Sequence, residues 1–479
     1  MWRDPLHAHE NYNKIRGIIM AKSTTKDMAS GSPMKLILGF AIPMLLGLLF
    51  QQCYSMVNTI IVGKWLGVNS LAAVGSTGSI NFMIIGFCTG ICSGFAIPSA
   101  QKFGAGDYKA LRKFVANSFW IAAIFSVIMT IVFCLLCMDI LRWMKTPSDI
   151  IDEAYSYIFV IFLGIPATYL YNLLAGIIRS LGDSKTPVYF LTISSVLNVI
   201  LDLISIGILD MGVAGPAWST VISQAVSGIL CLIYIRKRFD ILKIQGDEWK
   251  FDGHYIKMLC MMGIPMGLQY SITAIGSVIL QTSVNSLGSL AVASVTAGSR
   301  VSTFFCCPFD ALGGTIATYA GQNVGAKRLD RINQGLKAAI LIGAVYSVVA
   351  CLILSFFGKT ISLLFMDAKE VEILHQVQQF LLYNSLFYIP LALVNIVRFC
   401  IQGMGYSAFA ILAGVCEMGA RTLAGFLLVP LFGYTAVCFA SPLAWVCADL
   451  FLIPAYLHCM KKLRKMFGEY KGSKGTALV

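Results

Sequence analysis

Apolar residues in this chain do not alternate with polar ones over short distances. They run in long blocks separated by short charged stretches, and twelve such blocks can be counted, at about 34–62, 70–100, 114–138, 150–178, 187–209, 213–235, 254–283, 289–320, 332–357, 371–402, 406–430 and 434–459. Each exceeds the roughly 20 apolar residues that carry a helix across hydrocarbon. All are far too long for the strands of a membrane barrel, so the pattern predicts twelve transmembrane helices. The longest are expected to tilt or to extend past the membrane.

The pattern also repeats. Ile-Pro-Met at 42–44 returns at 264–266, QKFGA at 101–105 returns as QNVGA at 322–326, Ile-Pro at 165–166 returns at 389–390, and Gly182 answers Gly405. The separations are 222, 221, 224 and 223 residues, nearly constant along the chain. The expected organisation is an N-terminal tail at 1–33, a six-helix bundle at 34–236, a charged linker at 237–253, a second six-helix bundle at 254–460 and a basic tail at 461–479. An even number of helices per half makes the halves parallel, related by a pseudo-two-fold axis along the membrane normal, an architecture that alternating-access carriers use.

Charge fixes an expected orientation. Placing the N-terminus in the cytoplasm puts 28 Lys and Arg on the inner side and five, Lys64, Arg142, Lys145, Lys359 and Lys369, on the outer side. By the positive-inside rule both termini are then cytoplasmic, in a multi-pass protein of the plasma membrane. The first 33 residues carry no apolar run of a signal peptide, Met20 and Met28 are alternative starts, and the tail is expected to be mobile.

Composition agrees with the pattern. Of 479 residues 57% are hydrophobic and 12% charged, and mean hydropathy is +0.77; a soluble domain carries about 25% charged residues. The net charge of +13 is spread over the loops between spans, which argues against a nucleic-acid partner. Most of the 15 cysteines lie singly in apolar spans, where they act as small apolar residues, and the neighbours Cys306 and Cys307 are read as packing. Walker, dinucleotide and nucleophile motifs do not occur, and His375 and His458 sit near span ends, so no enzyme and no cofactor is expected.

Candidate chemistry lies inside the spans. In the fifth, PVYFLTISSVLNVILDLISIGIL, Asp202 shares one helical stripe with Asn198, Ser194, Ser195 and Ser205. A charged Asp at the bilayer centre costs about 2.5–3.5 kcal/mol on insertion scales, so the stripe must face protein or water and marks an ion or substrate path. The first span has a second stripe, Gln51, Ser55, Asn58 and Thr59. Its repeat partner in the seventh span is Thr273, Ser277 and Gln281, with Leu280 where the first half has Asn58.

The halves therefore differ in polar content. Asp202 maps to Gly425 and Asn198 to Arg421, and the second half instead offers Glu417 and Arg421 at a spacing that favours a neutralising pair. Arg300 and Asp310 are expected on different faces of the eighth span, and Arg398 is expected to snorkel from a helix end. Pro43, Pro166, Pro265 and Pro390 occupy repeat-related places where helices can bend.

MVNTIIVGKWLGVNSLAAVG at 56–75, AQKFGAGD at 100–107, GIIRSLGDSKTP at 176–187, VLNVILD at 196–202 and GQNVGA at 321–326 together resemble the multidrug and toxic compound extrusion (MATE) transporters, over about residues 34 to 460. The resemblance implies an antiporter that exports cationic amphipathic compounds in exchange for entering H+ or Na+. It implies a polar cluster in the N-terminal half at Asp202, Asn198, Asn172, Thr220 and, more loosely, Tyr157. The first-span motif of the family reads Val-Asp-Thr and here reads Val57-Asn58-Thr59, which leaves the coupling ion open; Na+ at Asp202, Asn198 and Asn58 is one form of it. An acid that some relatives carry in the seventh span is replaced around Gln269 and Thr273, which with Glu417 and Arg421 form a candidate second-half polar site. A lipid-linked precursor flippase of the same superfamily is the alternative, with Arg300, Arg398 and Arg421 as its basic residues. A monomer in the bilayer is expected.

Overall fold

Long apolar runs leave the backbone no partner but itself, and helices result. The computed structural model describes residues 25–363 and 370–468, among which no strand occurs; the polar tail before residue 25, Lys369 and the end of the basic tail lie outside the described residues. Fifteen helices are α1 (Pro33–Trp65), α2 (Val68–Ser76), α3 (Gly78–Ala105), α4 (Tyr108–Trp143), α5 (Ile151–Leu163), α6 (Ile165–Ser180), α7 (Lys185–Gly207), α8 (Ala214–Arg238), α9 (Gly253–Asn285), α10 (Ser289–Gly325), α11 (Leu329–Ser362), α12 (Val371–Leu386), α13 (Tyr388–Gly403), α14 (Ala408–Phe432) and α15 (Tyr434–Met466). Ten are long and apolar enough to span, and the bent pairs α5/α6 and α12/α13 bring the number to twelve.

The two bent spans break by 45° and 52° at repeat-related places. Pro166 stands in the first turn of α6, where its missing N–H costs no hydrogen bond, and Pro390 begins α13 in the same way. Pro43 and Pro265 stay inside continuous helices, so proline alone does not decide where a span breaks. The second expected span, 70–100, divides into α2 and α3 around Thr77.

Two apolar cores form, one from helices before the linker and one from helices after it, each with an exchanged element. Leu36, Ile37, Phe40 and Ala41 at the start of α1 pack in the second core, while Leu259 near the start of α9 is buried in the first. The halves are thus laced together at one end, the end that carries the basic loops.

Small residues make this lacing close. A Cβ on Gly104 would collide with the backbone of Gln322, and one on Gly325 with the backbone of Gln101, so α3 and α10 cross with main chain against main chain. Gln101 donates from Nε2 to the Gly403 carbonyl at 3.1 Å, and Gln322 donates from Nε2 to the Ser180 carbonyl at 2.9 Å. Each repeat-related glutamine therefore satisfies a carbonyl at the end of the broken span in the other half. Farther along, Gly94 meets Gly263, Gly90 meets Met266 and Gly314 meets Met44. At the opposite end Gly67, Gly75, Gly78 and Gly288 have nothing within 4 Å of a Cβ position.

The sequence places all of 1–33 in a mobile tail, and from Lys26 onward the structure differs. The Met28 side chain is fully buried, its N–H donates to Gln322 Oε1 at 2.8 Å, and its carbonyl accepts from Asn323 at 3.1 Å and Arg331 at 3.3 Å. Gly182, at φ +90°, has no room for a side chain against the Lys26 backbone. This strap docks because its backbone groups find hydrogen-bond partners in the second half, while Gly182 of the first half leaves it room.

Candidate ion and substrate site

Helix α7 sorts its residues by polarity in the direction opposite to a soluble helix. Tyr189, Ile193, Val196, Ile200 and Leu203 are exposed, while Ser194, Asn198, Asp202 and Ser205 are buried against α8. The polar stripe seen in the sequence faces protein. Ser194 donates to the Ser223 carbonyl at 2.6 Å, Asn198 Nδ2 to Thr220 Oγ1 at 3.3 Å, and Ser205 to the Asp202 carbonyl at 3.1 Å.

Around Asp202 the structure assembles a cluster. Thr220 donates to the Pro216 carbonyl at 2.9 Å and lies 3.3 Å from the Tyr54 hydroxyl of α1. Asn58, one turn after Tyr54, lies beside that hydroxyl, and the buried Tyr157 of α5 is within electrostatic range of both Tyr54 and Asp202. Ser219 stands next to the Asp202 carboxylate with its hydroxyl bonded to the Gly215 carbonyl at 3.0 Å. Asp202 has no accessible surface, and neither of its oxygens accepts a hydrogen bond; Asn198 Oδ1 is likewise buried and unsatisfied.

Three buried oxygens without donors are costly in a protein interior. A proton or a small dehydrated cation satisfies such a set, and a drug-sized ligand, which fills about 300–1,000 Å³, does not fit a fully enclosed carboxylate. The chemistry of the donors suits Na+ as well as H+. Among the described residues no group of three or more His, Cys, Asp or Glu could hold a metal ion.

Of the sequence-derived residues, Asp202, Asn198, Thr220, Asn58 and Tyr157 come together. Asn172 is not joined to them by a hydrogen bond: its amide donates to the Thr168 carbonyl of its own helix at 2.9 Å. Tyr54 and Ser219 belong to the cluster and were not singled out by the sequence; Tyr54 shares a face with Asn58 but counts as apolar in a hydropathy pattern.

The second half solves its polar problem by pairing. Glu417 accepts from Arg398 and lies 3.4 Å from Arg421. Arg398 is 5% exposed and does not snorkel, because α14 places a carboxylate beside it and Asp449 of α15, unnoticed in the sequence, lies near. One turn along α13, Gln402 donates to Gln269 at 2.6 Å, and Thr273 bonds the Gln269 carbonyl at 3.0 Å. Arg300 and Asp310 share the exposed face of α10, at helical positions about 80° apart, but ten residues separate them by about 15 Å.

Twelve helical spans in two pseudo-symmetric halves, closed at one end over a buried unpaired acid, define a membrane transporter. The MatE family profile matches residues 43–204 and again 265–427, and the chain belongs to that family, whose members are transporters and not enzymes. "Probable multidrug resistance protein YoeA" of Bacillus subtilis (strain 168) is 29% identical over 357 residues, 73% of this chain and 77% of that protein. "Multidrug export protein MepA" of Staphylococcus aureus (strain NCTC 8325) is 24% identical over 430 residues, covering 88% and 93%. "FAD transporter" of Shewanella oneidensis is 21% identical over 396 residues, covering 80% and 85%. Among solved structures, "Outward-facing conformation of a multidrug resistance MATE family transporter of the MOP superfamily" superposes with a TM-score of 0.85 at 22% identity, over 93% of this chain and 99% of that one.

Proposed function

We propose that this transporter exports cationic amphipathic compounds across the plasma membrane in exchange for H+ or Na+, by alternating access between the halves 34–236 and 254–460. The observation that carries the reading is Asp202: enclosed, unpaired and surrounded by amides and hydroxyls, it offers a site that an ion can enter and leave. Ion entry neutralises the carboxylate and changes the packing of α1 against α7 and α8. The ion and the cargo then favour opposite states, which couples their movements.

With both termini cytoplasmic, the laced end is the inner one, and the arrangement corresponds to the outward-open state. The names of relatives that export drugs support cationic, drug-like cargo. The flippase alternative asks for a basic cavity, and of its three arginines Arg398 and Arg421 are buried against Glu417, leaving Arg300 alone exposed.

Asp202→Asn is expected to abolish energised ethidium efflux from cells while the protein still reaches the membrane. Efflux at the wild-type rate would remove Asp202 from the mechanism. Imposing first a pH gradient and then a Na+ gradient on proteoliposomes identifies the coupling ion.

A further inference from the structure

Four carboxylates sit in the apolar spans more than one turn from either end: Asp202, Asp310, Glu417 and Asp449. Three are at most 7% exposed, and Asp310 alone is exposed. Of the two buried second-half acids, Glu417 is ion-paired with the two buried arginines, Arg398 and Arg421, and Asp449 lies near Arg398. Asp310 stands outside those ion pairs, with Arg300, the remaining arginine in the spans of that half, about 15 Å away along α10, and it has no ion pair or hydrogen bond in the structure.

Its position is informative. The exposed stripe of α10 runs through Thr296, Ser299, Arg300, Thr303 and Asp310, and no large hydrophobic residue of α10 is exposed. A helix in a bilayer whose accessible face is polar turns that face to water in a cleft and not to lipid. Gly314, one turn beyond Asp310 on the same face, touches Met44 of the other half. Asp310 therefore lies at an accessible position one turn from that contact toward the Gly288 end of α10, and its charge reaches Tyr270 of α9, whose side chain lies against Gly86 of the first half.

We infer that Asp310 is the counter-ion for the cargo: it binds the positive group of an organic cation in the cleft, with the Tyr270 ring against the aromatic part, while Asp202 serves the coupling ion. The assignment rests on the export reading above. It divides between two carboxylates what a single site cannot hold, since Asp202 is sealed and a drug-sized cation needs an open wall. A cation at a carboxylate and beside an aromatic ring gains from charge and from the ring quadrupole together.

The test uses full-length protein in proteoliposomes. Asp310→Asn is expected to raise the KM for ethidium at least tenfold with kcat changed less than threefold, to leave an uncharged dye of similar size unaffected, and to be partly rescued by Asp310→Glu. A fall in kcat at constant KM, or an equal loss for the charged and uncharged dyes, would overturn it by making Asp310 structural. A second measurement needs no variant. The tryptic peptide 301–327 contains Asp310 as its sole carboxylate side chain, so ethidium should protect that peptide of the wild type from carbodiimide modification, and absence of protection counts against the assignment. If wild type neither binds nor exports ethidium, the export reading itself falls; if it does both and Asp310→Asn matches it, this assignment alone falls.

Discussion

The two halves share their gate and differ in their cores. At the basic end Gln101 and Gln322, Gly104 and Gly325, Ser180 and Gly403 are related by the repeat and perform the same tasks. In the interior the first half holds Asp202 with no partner, and the second holds Glu417 between two arginines. Under the proposed alternating access, symmetry is kept where both halves separate together. It is given up where charge is handled, because an acid free to take an ion and an acid already paired cannot do the same work.

Removing Glu417 tests this contrast most severely. Glu417→Gln leaves Arg398 and Arg421 buried without their carboxylate, at a cost of about 3–5 kcal/mol. The expected result is a large fall in thermal unfolding temperature and in membrane abundance. Asp202→Asn, which neutralises an unpaired acid, is expected to leave both nearly unchanged. Equal destabilisation by the two substitutions would erase the difference between the halves.

Next in size are the crossing glycines. Gly104→Val and Gly325→Val each place a side chain where the opposite backbone runs, so the closed end must part. Hydrogen exchange at the ends of α3 and α10 should accelerate in both variants by similar factors, since the crossing is symmetric. Acceleration in only one would show that the repeat does not extend to the mechanics.

Smaller effects should separate the two glutamines. Losing one hydrogen bond costs about 0.5–1.5 kcal/mol, and Gln101 makes one to the other half. Gln322 bonds Ser180 and also accepts from the Met28 N–H. Gln322→Ala is therefore expected to loosen the gate more than Gln101→Ala, by about a factor of ten in exchange rate, and identical rates would deny the strap a role.

The smallest effect concerns the linker that joins the halves. Glu248 accepts from Arg112 at 2.7 and 2.8 Å, and the hydrogen bonds from that guanidinium hold its carboxyl below the ordinary glutamate value. A carboxyl with a lowered folded pKa contributes stability that is complete above its unfolded pKa and is lost as pH falls through the folded one. Protection of residues 240–250 from exchange should therefore decline only in acid, below about pH 4, and Arg112→Gln should remove the dependence.

Much of this was legible in the sequence because a membrane makes few demands and makes them strictly. Span positions follow from apolar length, the repeat from Ile-Pro-Met and the two glutamine motifs, and the Asp202 stripe from helical period. What stayed hidden depends on neighbours distant in the chain. Arg398 reads as a snorkelling residue until α14 and α15 bring Glu417 and Asp449 to it. Tyr54 reads as apolar filling until its hydroxyl meets Thr220. Arg300 and Asp310 differ in exposed surroundings from what their ten-residue spacing implies, because the accessible stripe of α10 is broad enough to hold both.

The strap at Met28 makes the gate lopsided. One latch is a lone glutamine, and the other is stitched down by a stretch of main chain that enters from the amino end. Whatever pulls on that end, whether a fusion partner, a binding protein or proteolysis upstream of Asp27, bears on a single leaf of the door. A transporter built from two copies of one plan thus acquires a handle on one side only.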